Sequence, residues 1–351
     1  MAEENQTTHK RRVRYSGKYP KKFEEKYKEL QPEKYKDTIE HVIKKGNTPA
    51  GMHISIMVNE ILDFLKIQPG ETGFDATLGY GGHTKAMLQC LKGQGHIYAT
   101  DVDPEESART RKRLEEAGFG EDILTIRLQN FCTIDEIAKE AGGFDFILAD
   151  LGVSSMQIDN PKRGFSFKVD GPLDLRLNQE AGISAAERLD TISRDELAGM
   201  LYENSDEPYC EELAKAITDE IRKGNRIDTT TKLRNIIEKT LDFLPEKEKK
   251  DTIKKTCQRT FQALRIDVNR EFEVLYEFME KLPDALKPGG RAAILTFHSG
   301  EDKLVKKALK EGYRAGIYAD YAKDVIRPSA QECAQNGRAR STKMRWAIKA
   351  E

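Results

Sequence analysis

The feature that most restricts the fold of this chain is an alternation of short apolar strands and helices that begins at Thr72. Residues 72–78 are typical of a buried strand, which is followed by a glycine-rich turn and a helix. Further strands are predicted at residues 96–100, 123–128 and 144–149. Strands that alternate with helices at this spacing indicate an α/β fold with a mostly parallel sheet and helices on both faces.

The alternation stops after Gly152 and resumes near Thr260. Between these points the pattern predicts a run of helices separated by polar turns, at residues 193–203, 211–223 and 230–243. We interpret this stretch as a helical insertion, because no strand pattern interrupts it.

The second half of the alternation completes the α/β domain. One long helix is predicted at Thr260–Lys281, then a strand at residues 291–297, a helix from about Glu301 and a last strand at residues 344–348. The pattern therefore predicts four segments: a basic extension rich in tyrosine and lysine at residues 1–46, the first part of the α/β domain at 47–159, the helical insertion at 160–255 and the second part of the α/β domain at 256–351.

Composition argues against two classes of protein. Of 351 residues, 33% are charged and 38% apolar, and no stretch approaches the roughly 18 consecutive apolar residues of a membrane-spanning helix. Five widely spaced cysteines lack a Cys-x-x-Cys pair, which argues against a zinc site and a disulfide framework. We expect a cytoplasmic enzyme without a metal and without a membrane contact.

The net charge of −1 hides an uneven distribution. Residues 10–22 contain seven basic residues and no acid, the stretch from Lys303 onward is also basic, and acids outnumber bases about three to one between residues 170 and 220. Such a chain can present a positive face to a polyanion while it stays near neutral overall. The tyrosines among the lysines of residues 1–46 either stack on bases or pack along a polar helix.

A glycine-rich turn joins the first predicted strand to the first helix, with the sequence Asp-Ala-Thr-Leu-Gly-Tyr-Gly-Gly-His at residues 75–83. Glycines at such a turn let backbone N–H groups approach a ligand beyond the carboxyl ends of the strands. Asp101 ends the second strand, where a carboxylate accepts hydrogen bonds from ribose hydroxyls. Nicotinamide dinucleotides and S-adenosylmethionine both offer such a ribose.

The spacing of the glycines separates these two cofactors. The dinucleotide fingerprint is Gly-x-Gly-x-x-Gly, whereas here Gly79-x-Gly81-Gly82 is followed directly by His83. Asp75 precedes the turn, where a methionyl ammonium group requires a nearby carboxylate. The residues therefore favour S-adenosylmethionine, with a nicotinamide cofactor and an oxidoreductase activity as the alternative.

Two candidate catalytic residues follow predicted strands. Asp150 ends the fourth strand, ahead of Gly152, Ser154 and Ser155, where substrate and cofactor are expected to meet; its alternative role is to cap the next turn. His298 follows the fifth core strand, and a neutral imidazole there can accept a proton or bind the target base. Stabilisation of its own turn is the alternative for His298.

At these residues the chain resembles the ribosomal RNA small-subunit methyltransferase H family, also called MraW. The blocks that carry the resemblance are residues 75–83, Asp150–Ser155, Arg163–Phe167, Gly171–Arg176, Thr260–Ile266, Val268–Glu271, Thr296–Ser299 with Glu301 and Asp302, and Arg338–Lys343. Eight blocks in the same order make the resemblance specific.

The resemblance implies a class I, Rossmann-like methyltransferase domain with a helical insertion, which methylates the exocyclic N4 of a cytidine in the decoding region of 16S ribosomal RNA. Its partner is then 16S rRNA or the 30S subunit, and its state a monomer or a homodimer. The cofactor contacts it implies are Gly81, Gly82, His83, Asp101, Phe131, Asp150 and Gln157. Phe131 would cover the adenine and Gln157 would hydrogen-bond near it.

Departures from the family pattern concern the target rather than the cofactor. Ala76, Tyr80, Met156 and Gly300 replace the usual residues of the family, and Lys255–Gln258 replaces a His-Pro-Ala-Thr block. Methylation of a different base, or a non-catalytic role in ribosome assembly, is therefore the alternative to cytidine methylation.

The reaction that the family implies sets requirements on the substrate side. The lone pair of cytosine N4 is delocalised into the ring, so acceptors on its N–H groups promote attack, and the base must be unstacked to reach the site. Asp150 is the natural acceptor. The further substrate-binding candidates are Ser154, Ser155, Arg163, Arg176, Arg265, Arg338 and Arg340. For the arginines, ion pairs with Asp174 or Asp302 are the alternative.

Overall fold

A computed structural model of the chain describes residues 55–351. The predicted basic extension at residues 1–46, with its tyrosines, lies outside the described residues. The described residues belong to one compact unit.

A seven-stranded sheet forms the centre of the described part of the chain, in the order β3-β2-β1-β4-β5-β7-β6. The first five strands are parallel, and β7 runs antiparallel to both of its neighbours. The strands are β1 Thr72–Asp75, β2 His96–Asp101, β3 Leu124–Leu128, β4 Phe144–Asp150, β5 Leu286–Thr296, β6 Tyr318–Tyr321 and β7 Lys343–Lys349. The mostly parallel sheet expected from the alternation is confirmed.

Thirteen α-helices lie within residues 55–351, joined in places by short 3-10 turns. They are α1 Val58–Leu65, α2 Gly82–Leu91, α3 Pro104–Glu116, α4 Ile134–Ala141, α5 Ser155–Asp159, α6 Ala185–Thr191, α7 Arg194–Ser205, α8 Cys210–Arg222, α9 Thr230–Thr240, α10 Glu246–Asn269, α11 Glu271–Ala285, α12 Ser299–Arg314 and α13 Ala330–Gln335.

The central strand β4 shows why helices cover both faces of the sheet. Successive side chains of a strand point to opposite faces. Phe146 and Leu148 lie in a core with residues of α1 and α2, whereas Ile147 and Ala149 lie in a second core with residues of α4, α11 and α12. All four side chains are fully buried, so neither face of β4 is left open to solvent.

A third core belongs to the helical insertion and extends from Phe165 to Leu264. It joins α6, α7, α8 and α9 to the second half of α10, through Cys257, Phe261 and Leu264. The boundary predicted at residue 255 therefore falls inside one continuous helix.

The single helix predicted at Thr260–Lys281 is wrong, because the chain forms two helices there. Arg270 lies between α10 and α11 with a φ of 51°, a left-handed conformation that ends the first helix. The sequence pattern gives no sign of this break, because the helices before and after Arg270 both bury apolar residues.

The strand order places a crevice at one end of the sheet. β1 pairs with β2 on one side and with β4 on the other, so the helices that follow these strands diverge. Ligands bind at such a switch point, beyond the carboxyl ends of the strands. Among residues 55–351 no helix combines the length and the apolar character that crossing a bilayer demands.

Candidate active site

A cavity of about 580 Å³ opens at the carboxyl ends of β1, β2 and β4. One wall, which we call the strand-end wall, contains the glycine-rich turn, Asp101 and Asp150. The opposite wall, which we call the helical wall, contains the loop at residues 165–168 and one face of α10. The volume lies within the range of sites that hold a small molecule or cofactor.

The glycine-rich turn presents the first turn of α2 to the cavity. Gly81 is the N-cap of α2, with a φ of 80° that favours glycine. A side chain at Gly82 would collide with Ser55, because its Cβ would lie 2.0 Å from the serine Oγ. The first N–H groups of a helix lack intrahelical acceptors and attract anions such as a carboxylate. The turn can therefore hold the carboxylate of a ligand.

Asp75 does not reach this cavity. Its side chain is fully buried and accepts hydrogen bonds from the Thr77 N–H at 3.0 Å and the Thr84 hydroxyl at 2.6 Å. Burial raises the pKa of this carboxyl. The predicted contact between Asp75 and a methionyl ammonium group is therefore corrected: Asp75 fixes the turn from inside.

Asp101 lines the cavity at the end of β2. Its two carboxylate oxygens accept hydrogen bonds from the backbone N–H groups of Gly79 at 2.8 Å and Asp103 at 2.9 Å. Each oxygen keeps a second lone pair, which a ribose hydroxyl can use. Burial raises the pKa of Asp101 to about 6.

Asp150 carries the least satisfied polar atom of the strand-end wall. Its N–H donates to the Thr77 hydroxyl at 2.7 Å, and its Oδ2 lies 3.4 Å from Nδ1 of His83. Its Oδ1 is buried and has no hydrogen-bond partner among residues 55–351. Burial raises the pKa of Asp150 to about 6, although His83 acts to lower it. The cavity thus holds an acceptor that still needs a donor.

His83 lies beneath Asp150, with 7% of the residue exposed. Its Nε2 is 2.9 Å from the carbonyl oxygen of Ile56. Since both ring nitrogens face protein atoms, the part of His83 that can meet a cofactor is its backbone N–H at the start of α2.

Phe131 and Gln157 lie at the cavity, as do Ser154 and Ser155. The Phe131 ring meets Phe278 edge to face, with 5.2 Å between ring centroids. Gln157 and Ser154 form a capping box at the start of α5, in which the Ser154 N–H donates to Oε1 of Gln157 at 2.9 Å. The amide nitrogen of Gln157 donates to Asp103 at 3.1 Å. The predicted contact of Gln157 with the cofactor would therefore use an amide whose oxygen and nitrogen both already form hydrogen bonds within the protein.

His298 is the N-cap of α12. This position agrees with the alternative role, in which His298 stabilises its own turn. Its Nδ1 accepts the Glu301 N–H at 3.5 Å, and Oε2 of Glu301 accepts the Phe297 N–H at 2.8 Å. Nε2 lies 3.1 Å from Oε1 of Glu301, although not in hydrogen-bond geometry. His298 also lines the cavity, so its catalytic role stays a prediction.

Glu271, His298 and Glu301 form an acidic cluster whose ligand-type atoms lie within 4.8 Å of one another. Arg265 supplies a positive charge there, with hydrogen bonds from its guanidinium to both oxygens of Glu271 at 2.8 and 2.9 Å. The predicted contact of Arg265 with the substrate would therefore be made by a guanidinium that is already paired with Glu271.

Arg163 is placed inside the protein and not at the cavity. Its guanidinium donates to Asp103 at 2.8 Å and to the carbonyl oxygens of Arg176 and Leu177 at 3.2 and 2.6 Å. Only 5% of the residue is exposed. The predicted RNA contact of Arg163 is therefore corrected to a buried ion pair, which ties the loop at residues 176–177 to the loop after β2.

Arg176 forms the ion pair with Asp174 that was the alternative to a substrate contact, through two hydrogen bonds of 2.8 Å. Arg176 does not line the cavity. Arg338 does line the cavity and donates to Asp159 at 2.8 Å. Arg340 is exposed in the same 3-10 turn. Of these three arginines, Arg338 and Arg340 stay candidates for contact with a polyanion.

Sequence reasoning missed residues that hold the site together. Asp103 caps α3 and also accepts hydrogen bonds from Gln157 and Arg163. The Asn269 side chain at the end of α10 bonds the backbone of Leu175 and Leu177 across more than 90 residues. Only the N-cap role of Asp103, ahead of Pro104, leaves a signal in the sequence.

The sequence model of the MraW methylase family matches residues 50–350. The chain belongs to the MraW methylase family. The predicted resemblance and the predicted class I methyltransferase fold are thereby confirmed, and S-adenosylmethionine is the cofactor of the chain. The residues of the cavity fit that cofactor. The N-terminus of α2, the Asp101 carboxylate, which can accept from ribose hydroxyls, and the unpaired Oδ1 of Asp150 all lie at the same cavity.

Similar curated proteins carry a consistent name. "Ribosomal RNA small subunit methyltransferase H 1" of Agathobacter rectalis is 88% identical over 351 residues, covering 100% of both chains. "Ribosomal RNA small subunit methyltransferase H" of Koribacter versatilis is 36% identical, covering 85% of this chain and 94% of its own. The solved structure of an rRNA methylase from Streptococcus thermophilus aligns with 86% of this chain over 100% of its own length, with 14% identity and a TM-score of 0.39.

Proposed function

We propose that this protein transfers the methyl group of S-adenosylmethionine to the exocyclic N4 of a cytidine in 16S ribosomal RNA, in the decoding region. The names of its relatives support an RNA substrate of the small ribosomal subunit. The cytosine amine is the finer part of the proposal, and it rests on the chemistry of the cavity.

The observation that carries the proposal is the open oxygen of Asp150. A buried carboxylate oxygen without a donor is costly unless a ligand supplies one, and Oδ1 of Asp150 has no partner within the described part of the chain. An exocyclic amine brings two N–H donors. A substrate with an amine at the reacting atom therefore fits Asp150 better than a hydroxyl oxygen that lacks a second hydrogen.

The strand-end wall supports the proposed position of the cofactor. In the proposed arrangement, the N–H groups of Gly82 and His83 bind the methionyl carboxylate, Asp101 binds the ribose hydroxyls, and Phe131 covers the adenine. When bound, S-adenosylmethionine would supply an electrophilic methyl group to the N4 amine, which gives up one proton in exchange.

The helical wall supports the proposed position of the substrate base. Gln258, Phe261, Gln262 and Arg265 recur at three- and four-residue intervals along α10 and line the cavity, so they share one face of the helix. Phe167 meets Phe261 edge to face at 5.8 Å. Aromatic rings beside polar groups are suited to a base that has left its stack. Asp150 would then accept an N–H of that base and orient its lone pair toward the methyl group.

The test is methyl transfer to 30S particles that lack the modification. Purified protein is incubated with isotopically labelled S-adenosylmethionine, and the rRNA is digested and analysed by mass spectrometry. The expected product is N4-methylcytidine at one position of 16S rRNA. Label on another base would overturn the assigned target, and RNA binding without any label would favour the assembly role.

Naked 16S rRNA and intact 30S particles should be compared in the same assay. A matched control is Glu121→Gln, since Glu121 is 88% exposed near the start of β3, at the end of the sheet away from the cavity. This variant should match the wild-type rate, whereas loss of activity in it would indicate damage during purification.

A further inference from the structure

The outer face of α12 carries a concentration of positive charge. Eight residues of this helix are exposed, of which five are basic and one is acidic. At 3.6 residues per turn the five basic residues fall within an arc of about 100°, opposite the buried Val305 and Leu309. We call them the α12 basic face: Lys303, Lys306, Lys307, Lys310 and Arg314.

The cations of the α12 basic face have no ion-pair partner within residues 55–351. The two acids in the first turn of α12 are buried and bonded inside the protein. Asp302 pairs with Lys343 at 2.8 Å and with Arg345 at 2.6 Å, and Glu301 accepts the Phe297 N–H at 2.8 Å. The helix therefore uses these acids internally and leaves its bases unbalanced at the surface.

The spacing of these bases makes them repel one another. Like charges three or four residues apart destabilise a helix, and the α12 basic face contains five such pairs. Helix α3 shows the opposite arrangement, since Arg109 and Lys112 each pair with a glutamate four residues away. An external polyanion would relieve the repulsion on α12, which the protein itself does not.

The α12 basic face begins beside the cavity. His298 is the N-cap of α12 and Glu301 lies in its first turn, and both line the cavity; Lys303 follows two residues later. The bonds of Asp302 hold this end of α12 against β7, which follows the 3-10 turn that carries Arg338 and Arg340. From Lys303 to Arg314 the face extends about 17 Å along the helix.

The helices of the insertion carry the opposite charge. Together α6, α7 and α8 contain nine acids and four bases. A polyanion that delivers a base to the cavity is therefore attracted by α12 and repelled by these helices.

We propose that the α12 basic face binds the phosphate backbone of the RNA segment that flanks the base held in the cavity. The proposal rests on the proposed function for the choice of RNA as the polyanion. It does not depend on which base or which atom is methylated, because phosphate contacts position a nucleic acid without reading its sequence.

The first test measures RNA binding by the full chain and needs no methylation. Three lysines of the face are replaced together, in Lys303→Ala/Lys306→Ala/Lys310→Ala, because alanine preserves the helix. Fluorescence anisotropy with a labelled 16S rRNA fragment that spans the proposed target should show at least tenfold weaker binding near 0.15 M salt. The slope of log affinity against log salt should become shallower by about 2, since each phosphate contact to a single strand contributes about 0.7.

Helix α10 offers a matched control, Lys247→Ala/Lys250→Ala/Lys254→Ala. These three lysines are exposed and have the same spacing as the three on α12, but acids stand among them at residues 246–251. The control removes the same net charge and should leave the slope unchanged. Equal losses in both variants would show a general effect of net charge and overturn the proposal, as would a wild-type slope in the α12 variant.

The second test separates RNA binding from chemistry. The α12 variant should bind S-adenosylhomocysteine with wild-type affinity in calorimetric titration, and its KM for RNA should rise at least tenfold while kcat at saturating RNA stays within twofold. A lower kcat with an unchanged KM would contradict a role in binding. If the wild type methylates no RNA, the proposed function fails, and the anisotropy comparison still decides whether the α12 basic face binds RNA.

Discussion

The two walls of the cavity use charged residues in opposite ways. On the strand-end wall, Asp101 and Asp150 keep acceptor capacity that faces the cavity. On the helical wall and the loops behind it, Arg163 and Arg265 are joined to carboxylates of the protein itself. The first arrangement leaves chemistry for a ligand, while the second fixes the shape of the site.

This difference predicts that variants of the two walls fail in different assays. Substitutions on the strand-end wall should abolish turnover and leave the fold intact, whereas substitutions of the paired arginines should unfold the protein before they change its chemistry. Four experiments, from the largest expected effect to the smallest, break or sharpen this contrast.

Arg163→Met should give the largest effect, on stability. It leaves Asp103 buried without its cation, and removal of one partner of a buried ion pair costs roughly 3–5 kcal/mol. The free energy of unfolding from denaturant titration measures this loss. Arg234→Met, which breaks an exposed pair with Glu238, is the control and should cost less than about 1 kcal/mol. Equal costs for both variants would contradict the internal role of Arg163.

Asp150→Ala should reduce the single-turnover methylation rate by roughly 100-fold or more, the usual loss of a group that acts on the reacting atoms. The midpoint of thermal unfolding should change little, because the side chain makes one polar contact within residues 55–351, to His83 at 3.4 Å. Wild-type turnover would remove Asp150 from the mechanism.

The affinity for S-adenosylhomocysteine should depend on pH through Asp101. Burial raises the pKa of Asp101 to about 6, so the carboxylate is ionised above that pH and is lost as an acceptor when the pH falls below it. Calorimetric titration should show roughly tenfold weaker binding at pH 5 than at pH 7.

Two variants identify the titrating group in that experiment. Asp101→Asn should bind weakly with little pH dependence, whereas Asp150→Asn should retain the dependence of the wild type. Constant affinity of the wild-type protein between pH 5 and pH 8 would argue against a hydrogen bond from the ribose to Asp101.

Arg340→Ala should give the smallest effect, a few-fold weaker binding of 16S rRNA fragments. Arg340 is exposed and has no ion-pair partner in the described part of the chain, so it can release one counterion and reduce the salt slope by about 1. Arg176→Ala is the matched control and should leave the slope unchanged, because Asp174 holds its guanidinium. Fluorescence anisotropy at several salt concentrations distinguishes the two.

Local patterns in the sequence were sufficient for the sheet and for the strand-end wall. Six of the seven strands and the glycine-rich turn were predicted near their observed positions, because each depends on residues that are close in sequence, whereas β6 was not predicted. The contacts of Arg163 could not be predicted, since Asp103 lies 60 residues away and arginine residues that bind phosphate look the same in sequence. The left-handed Arg270 was missed because a helical pattern continues on both sides of it.

The insertion between β4 and β5 has a consequence for synthesis of the protein. These strands are hydrogen-bonded neighbours in the sheet but are separated by 135 intervening residues, 151–285. A growing chain that has passed β4 already carries the glycine-rich turn, Asp101 and Asp150, yet it must produce every helix of the insertion before β5 can close the sheet. The two walls can therefore face each other only late in translation, so that binding of RNA waits for a nearly complete protein.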